Sequence, residues 1–176
     1  MNRRVQALSE RFEQANSAVR LSIANASDEQ LLRICPAEQC TVAALACHIA
    51  SVHRVGIEWM RAMLDGRGLP VISMEEINRK NQAFFRQHAR VSRSEALALL
   101  EQDGQLALAG LRDLHDTDLD RACPFSLFGN AMISVQTLIE QVLIGDPVGH
   151  LPSIQVALDA GSDSFQEPEP VSLSMS

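Results

Sequence analysis

Apolar residues recur along this chain at alternating intervals of three and four, the spacing of a helix with one buried face. Val5, Leu8, Phe12, Ala15 and Val19 make the first such stripe. Polar residues from Asn25 to Asp28 end it, and Cys35-Pro-Ala-Glu-Gln-Cys-Thr41 reads as a loop into the next helix. Thr41 stands directly ahead of an apolar run, where an N-cap residue belongs. The second stripe carries Val42, Leu45, Ile49, Val52, Gly56, Trp59 and Met63, and stops at the breakers Asp65-Gly-Arg-Gly-Leu-Pro70.

Met74-Glu-Glu-Ile-Asn78 opens a third segment, with Ile77, Phe84, Phe85, His88 and Val91 on its stripe. Ser92-Arg-Ser-Glu95 has the spacing of a capping box, so a new helix begins there. Leu97, Leu100, Gly104, Ala107, Leu111 and Leu114 follow in register. Asp116 to Pro124 reads as a crossing loop. A last helix is expected from about Ala131 toward Leu158, with Val135, Ile139, Val142, Asp146, His150, Ile154 and Leu158 on one broad face. Gly145 and Pro147 should loosen or kink it.

These segments predict an all-α protein, four main helices with one split. The bundle occupies residues 1–160, followed by a Ser/Pro-rich tail, 161–176, that reads as disordered. Composition agrees. Aromatic residues are 4% of the chain, with no tyrosine and one tryptophan. The core is then built from Leu, Ile, Val, Ala and Met, which suits helices better than a sandwich.

Charge removes several function classes. A net charge of −7 disfavours nucleic acid, whose binding rests on Lys and Arg neutralising phosphates. The longest apolar run, Val42 to Val52, is too short to span a membrane. The opening Met-Asn-Arg-Arg-Val-Gln has no apolar segment behind its charges, so a cytoplasmic protein is expected. Cys35, Cys40, Cys47 and Cys123 lack C-x-x-C spacing and are expected as free thiols. Ser51, Ser126 and Ser134 lack a nucleophile-elbow context, and no P-loop or dinucleotide fingerprint is present.

Candidate chemistry sits on the apolar stripes. His48 is three residues after Leu45 and four before Val52, on the buried face of the second helix. Asp146 and His150 are one turn apart and project from one side of the last helix. Two imidazoles and a carboxylate suit zinc, nickel or ferrous iron, with coordination positions left open as in catalytic sites. The alternative assigns His48 to the core as a hydrogen-bonded residue and Asp146 to an N-cap before Pro147. His53, about 140° around the helix from His48, faces solvent or a helix seam. His88 is expected partly exposed and His115 in a solvated loop, whose acidic run lacks the pattern of a calcium site.

Thr41-Val-Ala-Ala-Leu-Ala-Cys-His48-Ile-Ala resembles the helix-two signature of the DinB-like superfamily. Glu76-Ile-Asn78, Ser94 to Leu100 and Leu114 to Asp120 are similar to the middle of that family, in particular the branch related to mycothiol-dependent maleylpyruvate isomerase. Val135 to Leu158, with Asp146-x-x-x-His150, looks like its last metal-binding helix. The resemblance implies an up-down-down-up four-helix bundle, often dimeric, with a divalent ion held by His48, Asp146 and His150. Asp146 falls where many members carry histidine and others glutamate. It further implies a small-molecule substrate and a low-molecular-weight thiol co-substrate, in a transferase or isomerase reaction on small electrophiles. Metal-dependent hydrolysis and a non-catalytic helical binding module are the alternatives. A homodimer is expected from the resemblance and from Trp59, Met60 and Met63, which place apolar surface on more than one side of the second helix.

Overall fold

The computed structural model describes residues 3–160; the tail expected to be disordered, 161–176, lies outside the described residues. Helix α1 spans Arg3–Asn25, and a single turn, α2, spans Asp28–Leu31. Helix α3 covers Val42–Leu64, α4 Met74–His88 and α5 Arg93–Arg112. The chain ends in a continuous helical rod of three parts: α6 (Val135–Leu138), a wider π-helical stretch (Ile139–Ile144) and α7 (Gly145–Asp159).

Two core clusters fix the direction of each helix. One joins Val19 and Ile23 of α1, Ala44 to Ala50 of α3, Leu100 of α5, and Ile154 and Ala157 of α7. The other joins Val5, Leu8 and Phe12 of α1, Ile57 and Met60 of α3, Ala107 and Leu111 of α5, and Val135 to Ile144 of the last rod. Helix α1 and the rod therefore run one way, and α3 and α5 the other. This is the up-down-down-up bundle that the family resemblance implies. Parallel neighbours need a long crossover, and α4 supplies it between α3 and α5. Only Phe85 of α4 is buried, and it joins the first core cluster, so α4 covers the bundle and is anchored in its core by that one side chain.

Local signals account for the helix starts. Thr41 Oγ1 accepts the Ala44 N–H at 3.2 Å, and its hydroxyl donates to Ala89 O at 3.0 Å. One side chain thus caps α3 and ties the end of α4 to it. Ser92 and Glu95 form the expected capping box. Every position from Val42 to Ala50 is buried, and a helix that is apolar all round must be covered all round. At Gly56 a methyl group would lie 2.5 Å from Leu143 Cδ2, so glycine is what lets the last rod approach α3.

Three expectations are corrected. The stretch expected as a loop at Cys35–Thr41 lies within a small hairpin, β1 (Ile34–Cys35) against β2 (Cys40–Thr41). A second hairpin, β3 (Ala122–Phe125) against β4 (Ala131–Ser134), follows a 3₁₀ turn at Asp118–Asp120, where a plain loop and the start of the last helix were expected. The helix begins instead at Val135, capped by Ser134, which accepts the Thr137 N–H at 3.1 Å. The π stretch then shifts the buried face: Leu143, Ile144 and Pro147 are buried, while Val142 and Asp146 are only partly so. Finally, of the apolar residues from which a homodimer was expected, Met60 and Met63 are buried within the chain's own core, while Trp59, edge-on to Phe125 at 5.1 Å, is partly exposed.

No helix among the described residues is long and apolar enough to cross a membrane.

Candidate metal centre

The π stretch ends just before the residues that matter. A methyl group on Gly145 would lie 3.0 Å from Glu140 O, so the wide turn and its glycine belong together; such turns are frequent at functional sites. Helix α7 follows directly, with Asp146 and Pro147 in its first turn, so the N–H that proline lacks falls at the junction with the π stretch. Asp146 is not the N-cap: that position is Ile144. Its carboxylate turns instead toward α3.

His48, Asp146 and His150 each offer one donor atom, and these atoms lie within 4.8 Å of one another. Asp146 Oδ1 is 3.8 Å from His48 Nε2 and 3.4 Å from His150 Nε2. Tetrahedral coordination with bonds near 2.0–2.1 Å puts neighbouring donors about 3.4 Å apart. The His150–Asp146 separation equals that value, and the other donors, within 4.8 Å, need only a small side-chain closure to share one ion. Asp146 Oδ2 is buried and has no hydrogen-bond partner, an arrangement that a cation relieves and a plain core residue does not.

A residue that periodicity did not reveal completes the set. Glu38, at the turn of the β1–β2 hairpin, lies 2.8 Å from His150 Nδ1 and accepts the Ser153 hydroxyl at 2.5 Å. The turn is tight: Gln39 has φ +56° and is held by its N–H to Cys35 O at 2.9 Å. With Nδ1–H committed to Glu38, deprotonation of His150 would leave its lone pair on Nε2, facing Asp146 and His48. A carboxylate on the far nitrogen is the usual support of a ligating histidine. No repeat pattern marks Glu38; only a hairpin, unread in the sequence, aims it.

Burial lowers the His48 pKa against the opposing pull of Asp146, so the ring is neutral with a free lone pair. Burial also acts to lower that of His150, but Asp146 and Glu38 outweigh it and raise the value to about 9. An ion entering near neutral pH must displace that proton, as metal ligands require. Phe85 and Phe84 stand edge-on to the His48 ring at 5.4 and 6.1 Å, giving it an apolar back wall.

The remaining candidates fall elsewhere. His53 is fully buried at the α1–α3 seam, edge-on to Phe12 at 4.9 Å, with neither ring nitrogen bonded. Of the two placements open to it, the seam is the one observed. His88 stacks on Phe84 at 3.9 Å and is partly buried, and His115 is exposed. The cysteines are free. Burial pushes the thiols of Cys35 and Cys40 up to about 12 and that of Cys47 to about 11, which leaves them poor nucleophiles. Ser126 is a strut: its Oγ accepts the Ile72 N–H at 2.9 Å and donates to Ile72 O at 2.8 Å.

That strut joins the β3–β4 hairpin to the segment after α3, closing one side of a groove of about 910 Å³. Helices α3 and α4 and the last rod form its other walls, and His48, Asp146 and His150 all line it. Such a volume lies toward the upper end for small-molecule sites.

The fold and site can now be set beside known proteins. No curated protein matches this chain. Among solved structures, YfiT from Bacillus subtilis superposes with a TM-score of 0.68 at 16% identity, covering 87% of this chain and 85% of its own. It is described as "a probable metal-dependent hydrolase with an unusual four-helix bundle topology"; at this identity the likeness establishes the shared fold. The sequence profile of the DinB superfamily matches residues 11–144, a span that contains His48 and stops short of Asp146 and His150. That match takes in most of the bundle, and the chain belongs to the DinB superfamily.

Proposed function

We propose that this protein is a divalent-metal-dependent enzyme acting on an electrophilic small molecule bound in the groove. The ion is held by His48, Asp146 and His150, with zinc or nickel favoured and iron also compatible with the donors. The observation that carries the reading is the convergence of two imidazole nitrogens on one carboxylate whose other oxygen is buried and unpartnered. A divalent cation in that position lowers the pKa of a coordinated water or thiol and so supplies a nucleophile near neutral pH.

The residues of the chain do the rest. Glu38 fixes the His150 ring, Phe84 and Phe85 exclude water behind His48, and the groove orients the substrate. Hydrolysis is supported by the description of YfiT, carried here as analogy. Transfer to or from a low-molecular-weight thiol, including an isomerisation that uses one, is the second reading. The size of the groove favours it, since about 910 Å³ holds a co-substrate beside an acceptor. The thiol in this reading is exogenous, because no cysteine lines the groove among the described residues, and burial holds Cys35, Cys40 and Cys47 protonated at neutral pH. A homodimer and a cytoplasmic location accompany this proposal as expectations from the family resemblance.

A screen of activated esters, amides and epoxides on the zinc- or nickel-loaded protein, with and without added thiols, tests it. Turnover that disappears in His48→Ala is the expected result. Independence from thiol assigns hydrolysis; strict dependence assigns transfer. A non-catalytic module predicts no turnover with any ion, and that outcome would reject the enzyme reading.

A further inference from the structure

The groove continues well beyond the ligand cluster, and its far part has a chemistry of its own. His48, Val52, Val55 and Trp59 line it together. They are spaced by four, three and four residues, so they form one stripe of α3, about 16 Å long at 1.5 Å per residue. Ile77 and Phe84 of α4 face this stripe from one side and Val142 of the last rod from the other. Trp59, braced by Phe125, stands at the distal end. Charge along the wall is sparse or already used: the Lys80 ammonium pairs with Glu76 at 2.9 Å, and Glu58 adds a negative group. A tail bearing several negative charges would find no unpaired lysine or arginine among the described lining residues, whereas an apolar tail would find a continuous floor.

We infer that the substrate is an elongated amphipathic molecule, with a head that offers an oxygen or sulfur donor at the His48 end and an unbranched apolar tail laid along the stripe to Trp59. The head rests on the metal reading above; the tail does not. Transfer of the tail out of water supplies the affinity, and the head sets which end enters. Short polar electrophiles are then poor substrates, because they leave the stripe hydrated.

Trp59 is the chain's single tryptophan, so its fluorescence reports the distal end of the groove directly. Two probe series are titrated into zinc-loaded full-length protein: n-alkyl hydroxamates, whose head binds the ion, and n-alkanols, whose head does not. Binding in both series is expected to tighten about threefold to fourfold per methylene, and to level off once the tail reaches Trp59. The hydroxamates keep a constant advantage over alkanols of equal length. Val55→Asp is expected to flatten both series while zinc content stays unchanged. Ile77→Asp, on the covering helix α4, serves the same purpose if the α3 variant does not fold. Series that are flat with length in the wild type, or slopes that survive both substitutions, overturn the inference. Loss of the hydroxamate advantage with the length dependence intact would count against the metal reading and leave the tail assignment standing.

Discussion

His48 and His53 are five residues apart on one helix, both are buried, and both are held neutral by that burial. Asp146 acts electrostatically on both rings, but the groups that touch them differ. Around His48 a carboxylate and a second imidazole arrive from α7, and a hairpin carboxylate steadies that second ring. Around His53 there is the edge of Phe12, with no bond to either nitrogen. Burial alone therefore does not make a histidine a ligand. Convergence of donors from separate elements is what makes His48 a candidate ligand, and here that convergence depends on the wide turn before Gly145 and on the turn that presents Glu38.

Removing a donor is the most severe way to break this contrast. Asp146→Ala deletes the atom that both histidines face. It should abolish stoichiometric metal binding in equilibrium dialysis, an effect larger than any loss from outside the ligand set. Glu38→Gln comes next. It keeps the size of the side chain but weakens the bond to His150, and metal affinity should fall about 10- to 100-fold with the fold intact by circular dichroism. An unchanged affinity would mean that Glu38 does not orient the ring.

The His53 side of the comparison is probed by pH. Burial lowers the His53 pKa from 6.5 to about 4. The unfolded chain therefore takes up a proton that the folded chain refuses, and stability falls as pH drops from 6.5 toward 4. The full effect is about 3 kcal/mol. His53→Leu should remove that part of the acid sensitivity, seen as a shallower fall of chemical-denaturation stability across this window, without touching metal content. Gly145→Ala has the smallest expected effect, about 1–3 kcal/mol of stability from crowding Glu140 O. Metal affinity should weaken with it if the wide turn aims Asp146.

What the sequence disclosed follows from how local each signal is. The stripes of α1 and α5 are set by 3.6-residue periodicity, and Val5, Leu8, Phe12 and Val19, or Leu100, Ala107 and Leu111, are buried as that period requires. The Ser92–Glu95 box is local too. The two hairpins are not: β1 and β2 are two residues each, and β3 contains Pro124. Their pairing is held by the bundle against which they fold, so no strand period was available to read. The last rod shows both cases. Asp146 and His150 were identified by their spacing of one turn, yet the buried face around them shifted because the π stretch adds residues per turn. Glu38 was invisible because its role depends on a hairpin that was itself unread.

Elemental analysis of three proteins purified without chelators tests the central claim most directly: the wild type, His48→Ala and His53→Ala. The account predicts stoichiometric divalent metal in the wild type and in His53→Ala, and its loss in His48→Ala. A metal-free wild type, or the same metal content in all three, would contradict it.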